Sequence, residues 1–279
     1  MTRGRSGFTM PTGGPGGFTL PVRSVPTLRP AVPTPNHVIA RVANEAPRIP
    51  WDVFVKRLQW KPGEHFALIG PTGQGKTTML MNLLPLHRYV VVFATKPRDK
   101  TMDSLVNSGY LKMTTWQSLD PKQFPRRVLW PDASRVDSTD EQYDVFKAAF
   151  ERIYREGGWT VAIDELWYFT NMLRGGRGQV PLDRFVRLYL LQARALGISL
   201  LCATQRPAFV PLEVYDQSTH LMFWRDNDET NLMRISGIGW RSSDLIREVV
   251  SNLDRFQVLY VNTRTGEMLR TRCPEVATA

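Results

Sequence analysis

The chain has 279 residues, 42% of them hydrophobic, and a formal net charge of +10 at pH 7. This size allows one full α/β domain with appendages, and the positive charge favours a polyanionic partner such as nucleic acid, although charge can also serve solubility alone. Two cysteines, Cys202 and Cys273, are too few for a disulfide framework, and no apolar run approaches the roughly 18 residues of a membrane span.

Residues 1–48 differ in composition from the rest of the chain. They are rich in glycine, proline and threonine, and their six arginines against one acid, Glu45, supply about half of the net charge. Because so little apolar surface is available there, we predict a flexible basic tail, followed by a globular domain at residues 49–279. The tail contains a short repeat, Gly-Phe-Thr-Met-Pro and Gly-Phe-Thr-Leu-Pro, which is also consistent with docking on a partner.

A glycine-rich motif lies between a predicted buried strand at residues 65–69 and a predicted helix at residues 76–84. It fits G-x-x-x-x-G-K-[ST], a pattern whose backbone N–H groups and helix N-terminus bind phosphates. The predicted nucleotide-binding residues are Gly70, Pro71, Thr72, Gly73, Gln74, Gly75, Lys76, Thr77 and Thr78. In this pattern Lys76 reaches the β- and γ-phosphates and Thr77 supplies a hydroxyl to Mg²⁺, so we expect ATP and Mg²⁺ as ligands. A glycine-rich turn with a capping threonine is the alternative.

Further short apolar segments predict a largely parallel sheet. Strands are expected at residues 89–94, 127–130, 160–163, 198–203 and 220–224. Their continuous apolar character is typical of strands covered by helices on both faces, and the alternation with helices indicates a doubly wound α/β fold. At the C-terminal end, residues 256–261 and 267–270 predict a β-hairpin.

Two long helices are predicted between these strands. The first follows a capping-box sequence at Ser138 and ends at Gly157, with Phe146, Phe150 and Ile153 on one stripe. The second begins near Pro181 and ends at Gly197. Its residues expected to face the core are Leu182, Phe185, Leu188 and Leu191.

Two acids follow the predicted strand at residues 160–163. Since ligands bind at the carboxyl ends of parallel strands, Asp164 is expected to hold Mg²⁺ and Glu165 to orient and activate the attacking water. An acid pair that merely caps a helix is the alternative. Gln205 follows the strand at residues 198–203, and if that strand lies between the other two, its amide faces the γ-phosphate and can report hydrolysis.

The run from Gln192 to Pro207, Q-A-R-A-L-G-I-S-L-L-C-A-T-Q-R-P, resembles the matching stretch of the FtsK/HerA superfamily of DNA-pumping ATPases. The phosphate loop and the acid pair occur in the same order, and the resemblance extends over residues 60–225. It implies a RecA-like (ASCE) P-loop fold with strand order 5-1-4-3-2. It also implies a homo-oligomeric ring, commonly a hexamer, around double-stranded DNA, with ATP sites between subunits.

Basic residues are candidates for contacts with DNA and with a neighbouring site. Arg174 and Arg177 lie in the glycine-rich segment 173–179 and can grip phosphates without reading bases, although a plain exposed turn is an equal alternative. A ring ATPase usually inserts an arginine from the next subunit. The candidates, among which the sequence does not decide, are Arg194, Arg206 and Arg225.

Together these features predict an ATP-hydrolysing double-stranded DNA translocase. The compact size resembles the viral genome-packaging ATPases within the superfamily, which implies capsid or portal-vertex partners and a location in the host cytoplasm or at the packaging vertex of the virion. Two alternatives remain: an ATPase for protein export or filamentous-phage assembly, and a nucleotide-dependent assembly or scaffold protein. A metabolic kinase is less favoured because Glu165 and Gln205 fit attack by water.

Overall fold

Nine strands form one sheet in the part of the chain that the computed structural model describes, residues 45–135, 138–236, 243–272 and 274. In chain order they are β1 His65–Ile69, β2 Val90–Phe93, β3 Leu111–Met113, β4 Arg126–Leu129, β5 Thr160–Ile163, β6 Ser199–Thr204, β7 Ser218–Trp224, β8 Gln257–Asn262 and β9 Met268–Arg272. Their spatial order is β3-β4-β2-β5-β6-β1-β7-β8-β9. The first seven strands in this spatial order, from β3 through to β7, pair in parallel. Strands β8 and β9 continue the sheet in antiparallel pairing.

The five central strands confirm the predicted order. Numbered in chain order, the series β7-β1-β6-β5-β2 is 5-1-4-3-2. The sheet is larger than predicted, because β4 and β3 extend it beyond β2 while the C-terminal hairpin continues it beyond β7. Strand β3 escaped prediction because its three residues, Leu-Lys-Met, are too short and too mixed in polarity to form a pattern.

Helices cover both faces of the sheet. They are α1 Trp51–Arg57, α2 Lys76–Leu83, α3 Lys100–Asn107, α4 Thr139–Glu156, α5 Leu166–Asn171, α6 Leu182–Gln192, α7 Glu213–Asp216, α8 Glu229–Ser236 and α9 Ser243–Ser251. Alternate residues of β2 belong to two different hydrophobic clusters, one on each face of the sheet. Val91 and Phe93 are in the cluster with residues of α4 to α9, and Val90 and Val92 are in the cluster with residues of α1 to α3. Because side chains alternate across a strand, this division explains why the central strands are continuously apolar.

The two long predicted helices are present, with one correction to each. In α4 the stripe of Phe146, Phe150 and Ile153 is fully buried, but the Ser138 side chain does not cap the helix and instead accepts a hydrogen bond from Arg135 N. In α6 the prediction that Leu191 faces inward is wrong, since its side chain is 56% exposed. The buried face of α6 consists of the first residue of the helix and the residues four, seven and eight positions after it, which is helical spacing. These residues are Leu182, Val186, Tyr189 and Leu190.

Ordered contacts of the domain begin just before the predicted boundary at residue 49. Ala46 is fully buried, Arg48 forms a bridge with Arg270 of β9, and Ile49 N donates to Arg270 O at 2.9 Å. Residues 46–49 therefore extend the sheet edge beyond β9. The rest of the predicted tail, residues 1–44, lies outside the described residues. Within the described ranges, no helix has the length and apolar character needed to cross a bilayer.

Candidate phosphate-binding site

The glycine-rich segment between β1 and α2 forms a tight turn at the carboxyl edge of the sheet. Gly75, the residue before α2, has φ = 93°, a left-handed conformation that glycine adopts without strain. A Cβ on Gly70 would lie only 2.7 Å from Cβ of Trp224 on the neighbouring strand β7. The two glycines thus allow the chain to leave β1 closely packed and to turn tightly into α2, and a glycine-rich turn before a helix N-terminus is an arrangement that binds anions.

Three strand ends meet at this turn. Strand β6 lies between β1 and β5, with Ile69 paired to Thr204 and Ile163 paired to Cys202. Gly70, Asp164 and Gln205, which follow these strands, therefore occupy one edge of the sheet. Side-chain contacts join them. Thr77 Oγ1 donates to Asp164 Oδ1 at 2.9 Å, and Thr72 Oγ1 donates to Gln205 Oε1.

Thr77 and Asp164 provide oxygen ligands suited to Mg²⁺. The Thr77 hydroxyl lies 2.9 and 3.1 Å from the two carboxylate oxygens of Asp164, so one cation can contact both side chains. Mg²⁺ is usually held by one or two protein oxygens together with phosphate oxygens and water, and this pair fits that requirement. When bound there, Mg²⁺ would neutralise charge on β- and γ-phosphate oxygens. Burial raises the pKa of Asp164, and the hydrogen bond from Thr77 and the charge of Lys96 oppose that rise.

Lys76 is buried at the start of α2 and is turned onto its own loop. Its Nζ donates to Pro71 O at 2.6 Å, so a bound phosphate would have to replace this carbonyl. Burial lowers the pKa of the Lys76 amine from 10.5 to about 8, although the charges of Asp164, Glu165 and Asp226 favour the protonated form. An amine that is desolvated and surrounded by carboxylates is well placed to gain from an incoming polyanion.

The lowered pKa of Lys76 predicts a pH-dependent affinity for phosphate chains. A bound triphosphate favours the charged amine, so binding takes up a proton wherever Lys76 is neutral in the free protein. The dissociation constant is expected to be flat below pH 8 and to rise above it, by up to about tenfold per pH unit. Calorimetric titration with ATP between pH 7 and 9.5 measures this. Lys76→Arg, whose guanidinium stays charged, should remove the rise, and an unchanged slope in that variant would assign the titration to another group.

Glu165 lies beside this cluster, at the residue that precedes α5. Burial raises the pKa of its carboxyl group, the negative charge of Asp164 raises it further, and Lys76 opposes both effects. A carboxylate with a raised pKa is a stronger base than an exposed glutamate. The position and the environment of Glu165 are therefore compatible with accepting a proton from a water molecule.

A positively charged side chain that was not among the predicted site residues also lies at this edge of the sheet. Lys96, three residues after β2, has its Nζ 3.9 Å from Asp164 Oδ2 and 3.6 Å from Asp99 Oδ2. Because β2 lies next to β5 in the sheet, its carboxyl end belongs to the same edge as the acid pair. The rule that ligands bind at the carboxyl ends of parallel strands could have identified Lys96, but only once the neighbour of β5 was known.

The three candidate finger arginines occupy two opposite edges of the sheet. Arg206 follows β6, with its guanidinium carbon 4.7 Å from the ring centroid of Trp167, and Arg225 is exposed directly after β7, so both share the edge of the phosphate turn. Arg194 precedes β6 in the 3₁₀ helix Ala193–Leu196. Its carbonyl oxygen would lie 2.7 Å from a Cβ on Gly63, which precedes β1, and Arg194 is therefore at the far edge.

The basic loop between α5 and α6 has a fixed base and exposed arginines. Tyr143 OH donates to Val180 O at 2.7 Å, and Leu182 N donates to Leu173 O at 3.2 Å, which closes the loop. Arg174 and Arg177 are both exposed, with Arg174 Nε donating to Asn171 O at 2.9 Å. Tyr143 lies near the start of α4, which follows the parallel strand β4, so the loop lies on the carboxyl side of the sheet, as the candidate site does.

No family model and no curated protein matches this chain. Solved structures do. The genome-packaging NTPase B204 of Sulfolobus turreted icosahedral virus 2, in complex with sulfate, is 17% identical over 77% of this chain and 98% of that chain, with a TM-score of 0.57. VirB4 of Thermoanaerobacter pseudethanolicus is 13% identical over 76% and 90%, with a TM-score of 0.54. The cytoplasmic domain of the type VII secretion ATPase EccC of Thermomonospora curvata is 14% identical over 78% of this chain and 26% of that chain, at 0.51. These likenesses show that the chain has the fold of P-loop ATPases.

Proposed function

We propose that the chain is an Mg²⁺-dependent ATPase that moves double-stranded DNA, acting as a viral genome-packaging motor. The observation that carries the proposal is the meeting of three strand ends, which brings Lys76 and Thr77, the acid pair, and Gln205 to one edge of the sheet. Simple phosphate binding needs only the glycine-rich turn. A base beside the site of the terminal phosphate is what hydrolysis requires in addition.

Each side chain has a distinct part in the proposed reaction. The turn and Lys76 bind the β- and γ-phosphates, and the Thr77–Asp164 pair holds Mg²⁺. Glu165 orients a water molecule in line with the γ-phosphorus and takes its proton as the O–P bond forms. Gln205 is hydrogen-bonded to Thr72 of the turn, so loss of the γ-phosphate would change the contacts of Gln205 at the end of β6.

DNA is the proposed cargo for two reasons. The net charge is +10, and the loop with Arg174 and Arg177 presents exposed positive charge on the side of the sheet that carries the phosphate turn, which suits contacts to phosphates of any sequence. The solved structures with this fold include a genome-packaging NTPase and a secretion ATPase, and the charge favours the first role. Capsid or portal-vertex proteins are the proposed further partners, and the host cytoplasm or the virion packaging vertex the proposed location.

A ring of identical subunits, for instance a hexamer, would complete the site. Arg194 lies at the far edge of the sheet, away from the phosphate turn of its own subunit, whereas Arg206 and Arg225 share the edge of that turn. We therefore favour Arg194 for action on the neighbouring site, with Arg206 and Arg225 contributing to their own.

The experiment that tests this function is hydrolysis of ATP with and without double-stranded DNA, under single-turnover conditions. The proposal expects stimulation by DNA that falls with rising salt. Arg174→Ala combined with Arg177→Ala should weaken the stimulation and reduce the salt slope by up to about 2. Hydrolysis that is indifferent to DNA would instead support an export motor, and binding without turnover would support a scaffold.

The matched control removes the same charge from the opposite edge of the sheet. Arg88, just before β2, and Arg155, at the end of α4, are both exposed there. Arg88→Ala combined with Arg155→Ala should keep the full stimulation by DNA. Equal losses in the two double variants would show that net charge alone is responsible and would remove the specific role of the loop.

A further inference from the structure

A cavity of about 300 Å³ lies beside the phosphate turn, between the start of α2 and the C-terminal hairpin. Gln74, Gly75 and Thr78 line one side, and Trp224, Phe256 and Arg272 line the other. Its polar and apolar surfaces are mixed, and its volume is at the lower end of the range for small-molecule sites. One wall therefore belongs to the phosphate turn and the start of α2, while the other wall belongs to residues that have no part in the site described so far.

Phe256 is held over the turn in an unusual backbone conformation. Among the described residues it is the one non-glycine residue with a positive φ, at 63°, in a region that bulky side chains rarely adopt. The ring is 40% exposed, and its Cδ1 lies 3.5 Å from the position of a Cβ on Gly75. Residues kept in such conformations are concentrated at ligand clamps and active sites, where the surrounding structure enforces them.

Neighbouring contacts hold the Phe256 segment in place. Gln257 N donates to Asp254 O at 3.0 Å, and Asp254 N donates to Gln257 Oε1 at 3.2 Å, which fixes the turn before β8. Arg272 Nη2 donates to Arg255 O at 2.9 Å, and the Arg255 guanidinium carbon lies 4.7 Å from the centroid of the Phe256 ring. The aromatic face is thus positioned before any ligand arrives, which reduces the entropy lost on binding.

One polar atom of the cavity wall lacks a partner. Gln74 Oε1 is buried and has no hydrogen-bond partner among the described residues, a condition that is costly unless a ligand or water completes it. Gln74 is also part of the phosphate turn, so a ligand that contacts it would continue from the phosphate chain into the cavity. An aromatic ring and an unsatisfied amide among the lining residues match a flat, conjugated ring with hydrogen-bonding groups along its edge.

We propose that the nucleobase of the bound nucleotide stacks on Phe256 in this cavity, with the Gln74 amide bonded to its polar edge. The inference rests on the proposed function, since it assumes that a nucleotide occupies the phosphate turn. It assigns to the C-terminal hairpin, which is outside the three strand-end elements, a direct part in binding. The base is held mainly through its face, and stacking of this kind tolerates different bases.

The test uses Phe256→Gly, because glycine fits a left-handed conformation better than phenylalanine does and the fold should be retained. Binding of ATP and of inorganic tripolyphosphate is measured by calorimetry on the full chain, together with the melting temperature. We expect an affinity for ATP about tenfold or more lower, an unchanged affinity for tripolyphosphate, and a melting temperature that is not lowered. Phe256→Trp, which keeps an aromatic face, should restore the affinity for ATP.

The outcomes separate this inference from the proposed function. Unaltered binding of ATP by Phe256→Gly would overturn the stacking role while leaving the ATPase proposal intact. Equal losses for ATP and tripolyphosphate would also overturn it, because Phe256 would then act by shaping the phosphate turn. If the unaltered protein binds neither ligand, the proposed nucleotide site itself fails, and the inference fails with it.

Discussion

Glu165→Gln is expected to bind ATP with nearly normal affinity and to hydrolyse it about 10²- to 10⁴-fold more slowly. The amide keeps the size and the hydrogen-bonding shape of the carboxylate but cannot take a proton from water. Thr77, Asp164 and Lys76 are unchanged, so the phosphate chain should still be held. Release of phosphate in a single turnover with enzyme in excess measures the chemical step, and calorimetry measures binding.

The matched control is Glu151→Gln on the exposed side of α4, which makes the same chemical change away from the sheet edge. It should hydrolyse ATP at the normal rate. The pH profile supplies a second readout: because burial raises the pKa of Glu165, the rate in the unaltered protein should fall as pH drops through that raised value. Normal turnover by Glu165→Gln would contradict the assignment and place the base elsewhere.

Lys76→Ala is expected to lose tight binding of ATP, by about 100-fold or more. The amine can make charge-assisted hydrogen bonds to two phosphates, each contributing about 1.5–3 kcal/mol, and a tenfold change in affinity corresponds to about 1.4 kcal/mol. The loss should extend to tripolyphosphate, since Lys76 acts on the phosphate chain. This pattern differs from the one expected for Phe256→Gly, where tripolyphosphate is spared.

Lys76→Ala is expected to fold normally, for a physical reason. Burial lowers the pKa of Lys76 below its unfolded value, so at neutral pH the charged amine opposes folding of the free protein. The variant should therefore keep its melting temperature, which thermal unfolding without ligand would check. Lys122→Ala at an exposed position is the control and should bind ATP normally. Tight binding by Lys76→Ala would refute the proposed phosphate site.

The central architecture could be predicted because its determinants are local. The glycine-rich turn can be identified from its residue types alone. The apolar runs at β1, β2, β5 and β6 are continuous because helices cover both faces of the sheet. The family resemblance then supplied the strand order, which the five central strands confirm. The buried free Cys202 on β6 likewise follows from its place within an apolar run.

Features that depend on distant pairing could not be predicted. Lys96 meets Asp164 only because β2 lies beside β5, and the cavity exists only because the hairpin folds back next to α2. The prediction that Leu191 is on the inward face of α6 was wrong. Leu182, Phe185, Leu188 and Leu191 also form a helical stripe, and only packing decides between this stripe and the buried one. The catalytic and DNA-binding roles remain predictions that the experiments above test.

The pairing of residues 46–49 with β9 covers the outer edge of the last strand. Arg48 and Arg270 are neighbours although they stand near opposite limits of the described chain. A shortened protein that starts at residue 50 would leave the outer backbone groups of the last strand facing water, a template for unwanted self-association. Because this pairing is parallel, residues 46–49 and β9 run in the same direction, so the described chain enters this edge of the sheet at one end and leaves it at the other.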